Sequence, residues 1–555
     1  MHASDTGPRR VTHEVTNQPP PLVDVNLYDR DPALAEALRR EGGAWAEERV
    51  RDMGAFAGSA RALEWGEQAN RYPPELRAYD KFGNRIDEVA FHPAYHALMT
   101  EAIGRGIHSV AWTANRKGGH VVHTALEYLY TQAEAGTCCP VTMTYASLAA
   151  LKHQPEIDAE WRPRIVSTHY DPRAIPASEK TGATIGMAMT EKQGGSDVRA
   201  NTTKAVPLGH GGPGAEYILT GHKWFCSAPM CDAFMTLAYT DKGLSCFFVP
   251  RWKPDGTRNA FFVMRLKDKL GNKSNASSEI EYDGTWARMV GEEGRGVRTI
   301  LDMVHHTRLD TALAAAGYMR QALNNAMHHA AHRTAFQKRL IDQPAMMNVL
   351  ADLTVEAEAA TTLVMRVARA YDEGEDDDQA RAFARLAVAL AKYWINRRTP
   401  TFVFEAMEAH GGAGYVEESV MPRLFRESPL NSIWEGSGNV ITLDILRTLG
   451  REPEAVDAYL AEIAPALGAD RRFDAAVKAL KQAVVDHGGQ ESEARRLGEA
   501  MALVLQGALL LRHGPAAIAD AFCASRLGGD WGFAFGTLPS GLDLRAVIDR
   551  VRPPV

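Results

Sequence analysis

Apolar and polar residues repeat with different periods in different parts of the chain. Ala, Leu, Glu and Arg recur at three- and four-residue spacing in residues 33–40 and 120–134, which predicts amphipathic helices. We therefore expect residues 22–182 to form an N-terminal helical domain. Residues 1–21 contain three consecutive prolines and no apolar run of the signal-peptide kind, so we expect a disordered tail there.

The pattern changes between residues 184 and 288 to short β-branched and aromatic runs separated by Gly, Pro and Asp turns. Such runs are typical of strands. We expect a small β-domain over residues 183–290. The predicted strands are residues 217–220, 234–239, 246–250, 261–266 and 278–282.

After the Gly-rich segment 291–296 the helical period returns in long Ala-rich stretches, which suit a helix bundle over residues 291–450. An extra helical domain is expected over residues 451–555. The acidic segment 372–378 has no apolar residue and predicts a solvated loop. The predicted helices are residues 298–334, 348–371, 380–410, 454–463, 474–485 and 491–511. The fold class is therefore mainly α with one β-domain.

Composition limits the classes of function. The chain has 555 residues, with 62 Lys and Arg against 69 Asp and Glu, so its net charge of −7 gives no overall attraction to nucleic acid or anionic membranes. The longest apolar run, residues 501–511, is far shorter than the ~20 residues that cross a bilayer. Six cysteines without paired Cys-x-x-Cys spacing favour a reducing, cytoplasmic location over disulfides or a zinc site.

Residues 411–439 carry the most informative pattern. Glu435 stands between an aromatic residue, Trp434, and a flexible Gly-Ser-Gly, while a Gly-rich turn and two arginines, Arg423 and Arg426, precede it. This layout indicates a positioned base beside an anionic cofactor.

A second segment, residues 189–197, has two adjacent glycines. They allow main-chain N–H groups to approach a bulky planar ligand, and Thr190 and Ser196 supply hydroxyl donors. Taken alone, the segment is equally consistent with an ordinary hairpin turn.

Two more segments favour a cofactor. In residues 221–227, Phe225 and Ser227 can stack on a ring and donate to it, although a Trp-Phe pair alone more often belongs to a core. In residues 333–340, Arg333 offers the planar, permanent charge that suits a phosphate.

These segments resemble motifs of the acyl-CoA dehydrogenase flavoprotein family, in the order in which that family has them. The 411–439 run resembles its Gly-Gly-x-Gly-Tyr turn and Ile-Tyr-Glu-Gly-Thr segment, and residues 189–197 resemble its Met-Thr-Glu-x-x-x-Gly-Ser-Asp segment. The string 266–276 and the extra C-terminal residues are similar to the AidB-type alkylation-response branch. The resemblance covers residues 80–447 and implies an N-terminal helical domain, a β-barrel-like domain and a helix bundle, followed by the extra helical domain.

The resemblance implies FAD as the cofactor and Glu435 as the base that takes a Cα proton from an acyl thioester while a hydride leaves Cβ for flavin N5. Arg308 resembles a family arginine near the substrate cavity, although a structural ion pair is equally consistent. Gln337 and Glu408 depart from the family pattern, so FAD retention is expected to be weaker than in typical relatives. The implied cofactor-binding residues are Met189, Thr190, Gly195, Ser196, Phe225, Ser227, Arg333, Phe336, Gly411, Gly412, Trp434, Ser437 and Asn439.

The same branch implies a homotetramer, in which Arg333 serves the flavin of a neighbouring subunit, and an acyl-CoA or related substrate. It also implies DNA binding by the C-terminal region and protection from alkylating agents. Residues 451–555 carry 12 Lys and Arg against 14 Asp and Glu, so we expect at most weak, sequence-independent binding to double-stranded DNA. The clusters expected to carry it are residues 471–472, 478–481 and 495–496.

Two alternatives to the acyl-CoA dehydrogenase remain open at this level. The rival is a DNA-binding protective flavoprotein whose dehydrogenase site is vestigial or acts on a non-CoA molecule, and a further possibility is an oxygen-using relative. His328 and His332 stand four apart on one helix face, but no glutamate lies between them in the His-Glu-x-x-His manner. We therefore predict no metal site.

Overall fold

The structure, a computed structural model, describes residues 12–553. Its N-terminal part is mostly helical, and the predicted helices at residues 33–40 and 120–134 correspond to α1 and α6. The side chain of Asp31 caps α1 by accepting a 3.0 Å hydrogen bond from the Leu34 N–H, and Pro32 occupies the first turn. The helices are α1 (Pro32–Arg40), α2 (Glu47–Ala57), α3 (Ala60–Arg71), α4 (Pro93–Gly104), α5 (Val110–Thr113), α6 (Gly119–Tyr130), α7 (Cys138–Leu151) and α8 (Pro155–Ile165).

A β-hairpin interrupts this helical part, which corrects the expectation of helices alone. Strand β1 (Glu75–Tyr79) pairs antiparallel with β2 (Arg85–Ala90). The Asp80 side chain holds the turn by accepting hydrogen bonds from the N–H groups of Phe82 (2.8 Å) and Asn84 (2.9 Å). Much of the hairpin is exposed and charged, so it lacks the apolar alternation from which a strand is predicted.

The β-domain is a seven-stranded sheet that closes on itself. Strand β6 pairs with β4 on one side and with β7 on the other, and β4, β5, β9 and β7 complete the ring. Each of the five predicted runs lies within a strand, while β3 and β4 were not predicted. The strands are β3 (Ile185–Ala188), β4 (Lys204–Pro207), β5 (Glu216–Ser227), β6 (Ala233–Thr240), β7 (Gly243–Pro250), β8 (Phe261–Leu266) and β9 (Ser277–Val290).

Three long helices form the bundle, as predicted, and short elements follow them. The two-residue strands β10 (Thr334–Ala335) and β11 (Lys338–Arg339) make a tight turn directly after the first of these helices. The bundle helices are α9 (Gly296–His332), α10 (Pro344–Glu373), α11 (Asp378–Glu408), α12 (Val420–Glu427) and α13 (Gly438–Arg451).

Residues 12–21 correct the expectation of a disordered tail, as far as the structure describes it. Asn17 accepts a hydrogen bond from the Thr334 N–H (2.8 Å), and the Pro20 carbonyl bonds to Nε2 of His328 (2.8 Å). This part of the tail therefore lies along the end of α9. The rest of the predicted tail, residues 1–11, lies outside the described residues.

The C-terminal helices pack on α10 and α11. Arg526 anchors them, because its guanidinium lies 2.5 Å from Asp352 and 2.9 Å from Glu356 on α10, with all three side chains buried. Within residues 12–553, no helix has the length and apolar character needed to cross a membrane. The helices are α14 (Pro453–Ile463), α15 (Arg471–His487), α16 (Ala494–His513), α17 (Ala516–Phe522) and α18 (Leu544–Asp549).

Replacing Arg526 should destabilise the protein strongly. Arg526→Met leaves the buried Asp352 without its cation and Glu356 with Arg398 alone, which is expected to lower the free energy of unfolding by about 3–5 kcal/mol. Thermal and urea unfolding measure the loss. The control is Arg496→Met, whose side chain is 85% exposed, and equal stability of the two variants would contradict the anchoring role.

Candidate active site

Glu435 lies in the loop between α12 and α13. Its main chain is left-handed, with φ of +58°, which is uncommon for a residue that has a Cβ atom. The Thr307 hydroxyl on α9 donates a 2.7 Å hydrogen bond to Oε2 of the partly buried Glu435 carboxylate. The proposed base therefore has a fixed partner on the longest helix.

The electrostatic surroundings of Glu435 suit a proton acceptor. Burial raises the pKa of its carboxyl group, and the Thr307 hydrogen bond and the charges of Arg308 and Lys392 counteract part of that rise. A base whose pKa lies nearer to neutral pH is the more effective one at that pH.

Buried cations surround the loop. Arg308 donates from Nε to the Glu435 carbonyl (3.3 Å) and from Nη1 to Asp444 (2.9 Å), which Arg385 also contacts (2.8 Å). Lys392 on α11 donates from Nζ to the carbonyl of the next residue, Gly436. Arg308 thus forms a structural ion pair, one of the two roles left open from sequence, and it also touches the main chain of Glu435.

The two predicted flavin segments of the β-domain form one surface. The Trp224 N–H donates to the Thr190 carbonyl (2.8 Å), and the fully buried Lys223 donates to Glu191 (2.8 Å). Phe225 is half exposed beside them. The pairing of Glu191 with Lys223 shows that these two charged residues bind each other within the protein.

Both Ser227 of this surface and Glu435 influence the Cys139 thiol on α7. Burial raises the pKa of the thiol to about 12; a hydrogen bond with Ser227 acts against the rise, and the Glu435 charge adds to it. Ser227 also lies 3.5 Å from the Ser277 hydroxyl. One residue of α7 therefore interacts with both the base and the flavin-segment hydroxyl.

Other predicted residues occupy neighbouring positions. Ser437 precedes α13 without capping it through its side chain, and Asn439 accepts a 2.7 Å hydrogen bond from Nε of Arg495 on α16. Gly195 and Ser196 lie exposed after the tight turn that follows Met189 and Thr190. Trp434, next to the base, donates to Asn431 (2.8 Å).

Four predicted residues lie at the opposite end of α9. Arg333 is separated from Thr307 by 26 residues of nearly continuous helix, a span of about 39 Å. Phe336 is 95% exposed, and Gly411 and Gly412 are exposed in the turn after α11. Within one chain the structure does not bring these four together with Glu435.

A cavity of about 930 Å³ lies at that far end. Residues of the N-terminal tail, α3, the last turns of α9 and the turn after α11 line it, among them Pro20, His329 and His410. Glu435 is not among its lining residues. This cavity is therefore separate from the proposed reaction centre.

Comparison with known proteins agrees with this architecture. Residues 17–172 match the adaptive response protein AidB N-terminal domain, residues 186–285 the acyl-CoA dehydrogenase middle domain, and residues 294–450 the acyl-CoA dehydrogenase C-terminal domain. The chain is 45% identical to the AidB protein of Escherichia coli (strain K12) over 514 residues, which are 92% of this chain and 94% of that protein. The chain belongs to the AidB branch of the acyl-CoA dehydrogenase family.

Two solved structures extend the comparison. Caenorhabditis elegans ACDH-11, in complex with C11-CoA, has a TM-score of 0.84 at 25% identity, covering 99% of this chain and 98% of that one. A Bacillus anthracis acyl-CoA dehydrogenase complexed with FAD shares the fold, with a TM-score of 0.68 at 16% identity over 92% and 91% of the chains. The predicted family and fold class are confirmed.

FAD is the cofactor of this family, and the residues present fit it. A flavin needs a flat apolar surface, hydroxyl donors and cations for its phosphates. Phe225 supplies exposed aromatic surface beside the partly buried Trp224, Thr190 and Ser227 supply hydroxyl groups, and Nζ of Lys267 lies 3.5 Å from the centre of the Trp224 ring.

Sequence reasoning missed Thr307, Lys392, Glu191 and Lys223. Thr307 stands directly before the predicted Arg308, so the local sequence already contained the signal of a second polar residue there. The other three pair with groups distant along the chain, and a single sequence carries no sign of those contacts.

A buried acid–base cluster lies one helical turn along α9 from Thr307. Nδ1 of His123 donates to the Ile107 carbonyl (2.8 Å), and Nε2 faces Asp310 (3.1 Å) and Glu127 (3.5 Å). Burial lowers the pKa of His123, but the two carboxylates more than offset this and raise it to about 9. Burial raises the pKa of both carboxyl groups. Sequence reasoning missed this cluster as well.

Stability should therefore fall as the pH rises past neutrality. The raised pKa of His123 contributes stability that is complete below the ordinary value of 6.5 and is lost as the pH rises through about 9, and the raised carboxyl pKa values act in the same direction. We expect the melting temperature to fall between pH 6.5 and 9, and His123→Gln to weaken that dependence. The exposed His169→Gln serves as control, and a wild-type slope in His123→Gln would refute the assignment.

Proposed function

We propose that this chain is an FAD-dependent acyl-CoA dehydrogenase in which Glu435 removes the α-proton of an acyl thioester. The observation that carries the proposal is the Glu435 carboxylate itself, which is oriented by Thr307 and has a pKa raised by burial. Bound FAD supplies the hydride acceptor. The match to the AidB N-terminal domain supports a biological role in protection against alkylating agents.

The main chain of Glu435 contributes a second function. Among the described residues its N–H has no hydrogen-bond acceptor, although neighbouring N–H groups in the loop do. A free N–H next to the base can donate to the thioester carbonyl as enolate charge develops, which lowers the barrier to proton removal. The same residue then provides the base and part of the oxyanion site.

Glu435→Gln should keep the flavin and lose its anaerobic bleaching by acyl-CoA. The amide cannot accept the α-proton, and loss of a general base costs about 10² to 10⁴-fold in rate. Stopped-flow absorbance with butyryl-CoA and octanoyl-CoA measures the effect. The exposed Glu454→Gln on α14 is the matched control. An unchanged bleaching rate in Glu435→Gln would show that another group is the base.

The arrangement of α9 supports a homotetramer. Arg333 and Phe336 lie about 39 Å along the helix from Thr307, so they are suited to a cofactor held by a neighbouring subunit. The guanidinium of Arg333 already donates to the Asn17 carbonyl (2.7 Å), which leaves further N–H donors for a phosphate.

Arg333→Ala should release FAD during gel filtration, because a phosphate contact is lost at the subunit boundary. The control is Arg298→Ala, an exposed arginine at the opposite end of α9. Light scattering is expected to give four subunits for the wild type. A monomer that retains its flavin would contradict both the tetramer and the role of Arg333 in a neighbouring subunit's flavin site.

Duplex DNA binding stays a prediction with limited support. Two basic side chains of the C-terminal clusters already have acidic partners: Arg472 contacts Asp470 and Asp520, and Arg496 contacts Glu493. Charges that are paired within the protein add little to non-specific phosphate binding. A protective flavoprotein with a vestigial dehydrogenase site remains the second candidate, favoured if no acyl-CoA bleaches the wild-type flavin.

A further inference from the structure

Two consecutive carbonyl groups at the base are each held by a buried cation. Arg308 donates to the Glu435 carbonyl (3.3 Å), and Lys392 donates to the Gly436 carbonyl. The cations come from different helices, α9 and α11, so the loop is fixed from two sides. Arg308 is in turn held by Asp444.

The main chain at this point needs such restraint. Glu435 has φ of +58° and Gly436 has φ of +106°. A left-handed conformation costs a residue with a side chain about 1–2 kcal/mol, so it persists only where surrounding contacts require it. If the loop relaxed to negative φ, the Glu435 side chain would leave the Thr307 hydroxyl.

Lys392 is unusual among the lysines of this chain. It is 1% exposed, and no carboxylate lies within salt-bridge distance of it among the described residues, whereas the buried Lys180 and Lys223 each have a carboxylate at 2.7 to 2.8 Å. A buried ammonium group without such a partner is costly. Its hydrogen bond to the loop and the nearby Glu435 charge offset only part of this cost, because burial still lowers the pKa of Lys392 to about 7. The ammonium form is therefore complete on the acid side of neutrality, where the acid limb of Glu435 is expected.

We propose that Lys392 is a positioning residue for Glu435: with Arg308 it locks the left-handed main chain of the loop, and its charge keeps the carboxylate ionised and ready to accept a proton. The inference rests on the proposed function for its consequence in catalysis. Its structural part, the orientation and ionisation of Glu435, holds without any assumption about the substrate.

The charged groups that face Glu435 determine whether loss of the Lys392 charge raises or lowers the pKa of Glu435. Arg308 on α9 and Lys392 on α11 favour the carboxylate, while burial disfavours it. On α7 the Cys139 thiol is neutral over the working range, because its pKa is raised to about 12. Removing the Lys392 charge must therefore raise the pKa of Glu435 and move the acid limb of any rate that depends on it to higher pH.

The test uses the FAD-loaded protein and three variants at Lys392. Lys392→Met keeps the length of the side chain without charge or donor, Lys392→Gln keeps a donor without charge, and Lys392→Arg keeps both. The matched control is Lys180→Met, which removes a buried lysine that contacts Asp232 in the β-domain. If Lys392→Met does not fold, Lys392→Gln carries the test of the charge.

Bleaching by butyryl-CoA and octanoyl-CoA is measured from pH 5.5 to 9. Lys392→Met should slow bleaching at saturating acyl-CoA by about 10², with a smaller change in KM, and should move the acid limb to higher pH. Lys392→Arg should recover most of the rate. A Lys392→Met variant with wild-type rate and acid limb, or the same loss in Lys180→Met, would overturn the proposal.

A substrate-free measurement separates this inference from the proposed function. A carboxylate that ionises beside the flavin shifts its absorption, so the pH midpoint of the oxidised flavin spectrum reports on Glu435 without acyl-CoA, and Glu435→Gln identifies the transition. An upward shift of that midpoint in Lys392→Met supports the role of Lys392 even if no acyl-CoA bleaches the wild type. An unshifted midpoint overturns it even if the wild type is an active dehydrogenase.

Discussion

The burial of α9 on all sides is the constraint from which the architecture follows. Most of its 37 residues are buried, and a helix enclosed around its whole circumference must be surrounded by other elements. Helices α7, α10 and α11 enclose it in the bundle, and β7 covers its first turns. At Gly317 an added Cβ would lie 2.8 Å from the Tyr128 carbonyl, so α6 can approach only because that position is glycine. This packing fixes where Thr307 and Arg308 stand.

The extra C-terminal helices are part of the same structure rather than an independent appendage. Arg526 joins them to two carboxylates of α10, and Arg495 joins α16 to Asn439 at the start of α13. Helix α13 also carries Asp444, the partner of Arg308. Two residues of α13 therefore connect these helices to Arg308, which contacts the loop of Glu435.

Local patterns predicted the long elements and the base, and distant pairings escaped prediction. The helical pattern of α9, α10 and α11 extends over enough residues to predict their ends to within four residues. Glu435 could be proposed as the base because its motif is contiguous in the sequence. The hairpin of β1 and β2 was missed because charged, exposed strands lack the apolar alternation of a half-buried sheet. In the sequence, nothing distinguishes Lys392 from any other lysine of a predicted helix. Only the fold brings its side chain to a carbonyl group 44 residues away.

The length of α9 separates two groups of residues that the sequence motifs assign to one cofactor site. Glu435 and Thr307 stand near its start, whereas Arg333, Phe336 and the turn after α11 stand at its end, about 39 Å away. A straight, buried helix cannot fold back to bring them together. If both groups serve FAD, each must complete a site on a different copy of the chain, so assembly becomes a condition for a full cofactor site and not only a means of added stability. In such an assembly Gln337 and Glu408, which differ from the family pattern, lie at the boundary between subunits. The Glu408 carboxylate must then either turn away from the phosphates or pair with a cation.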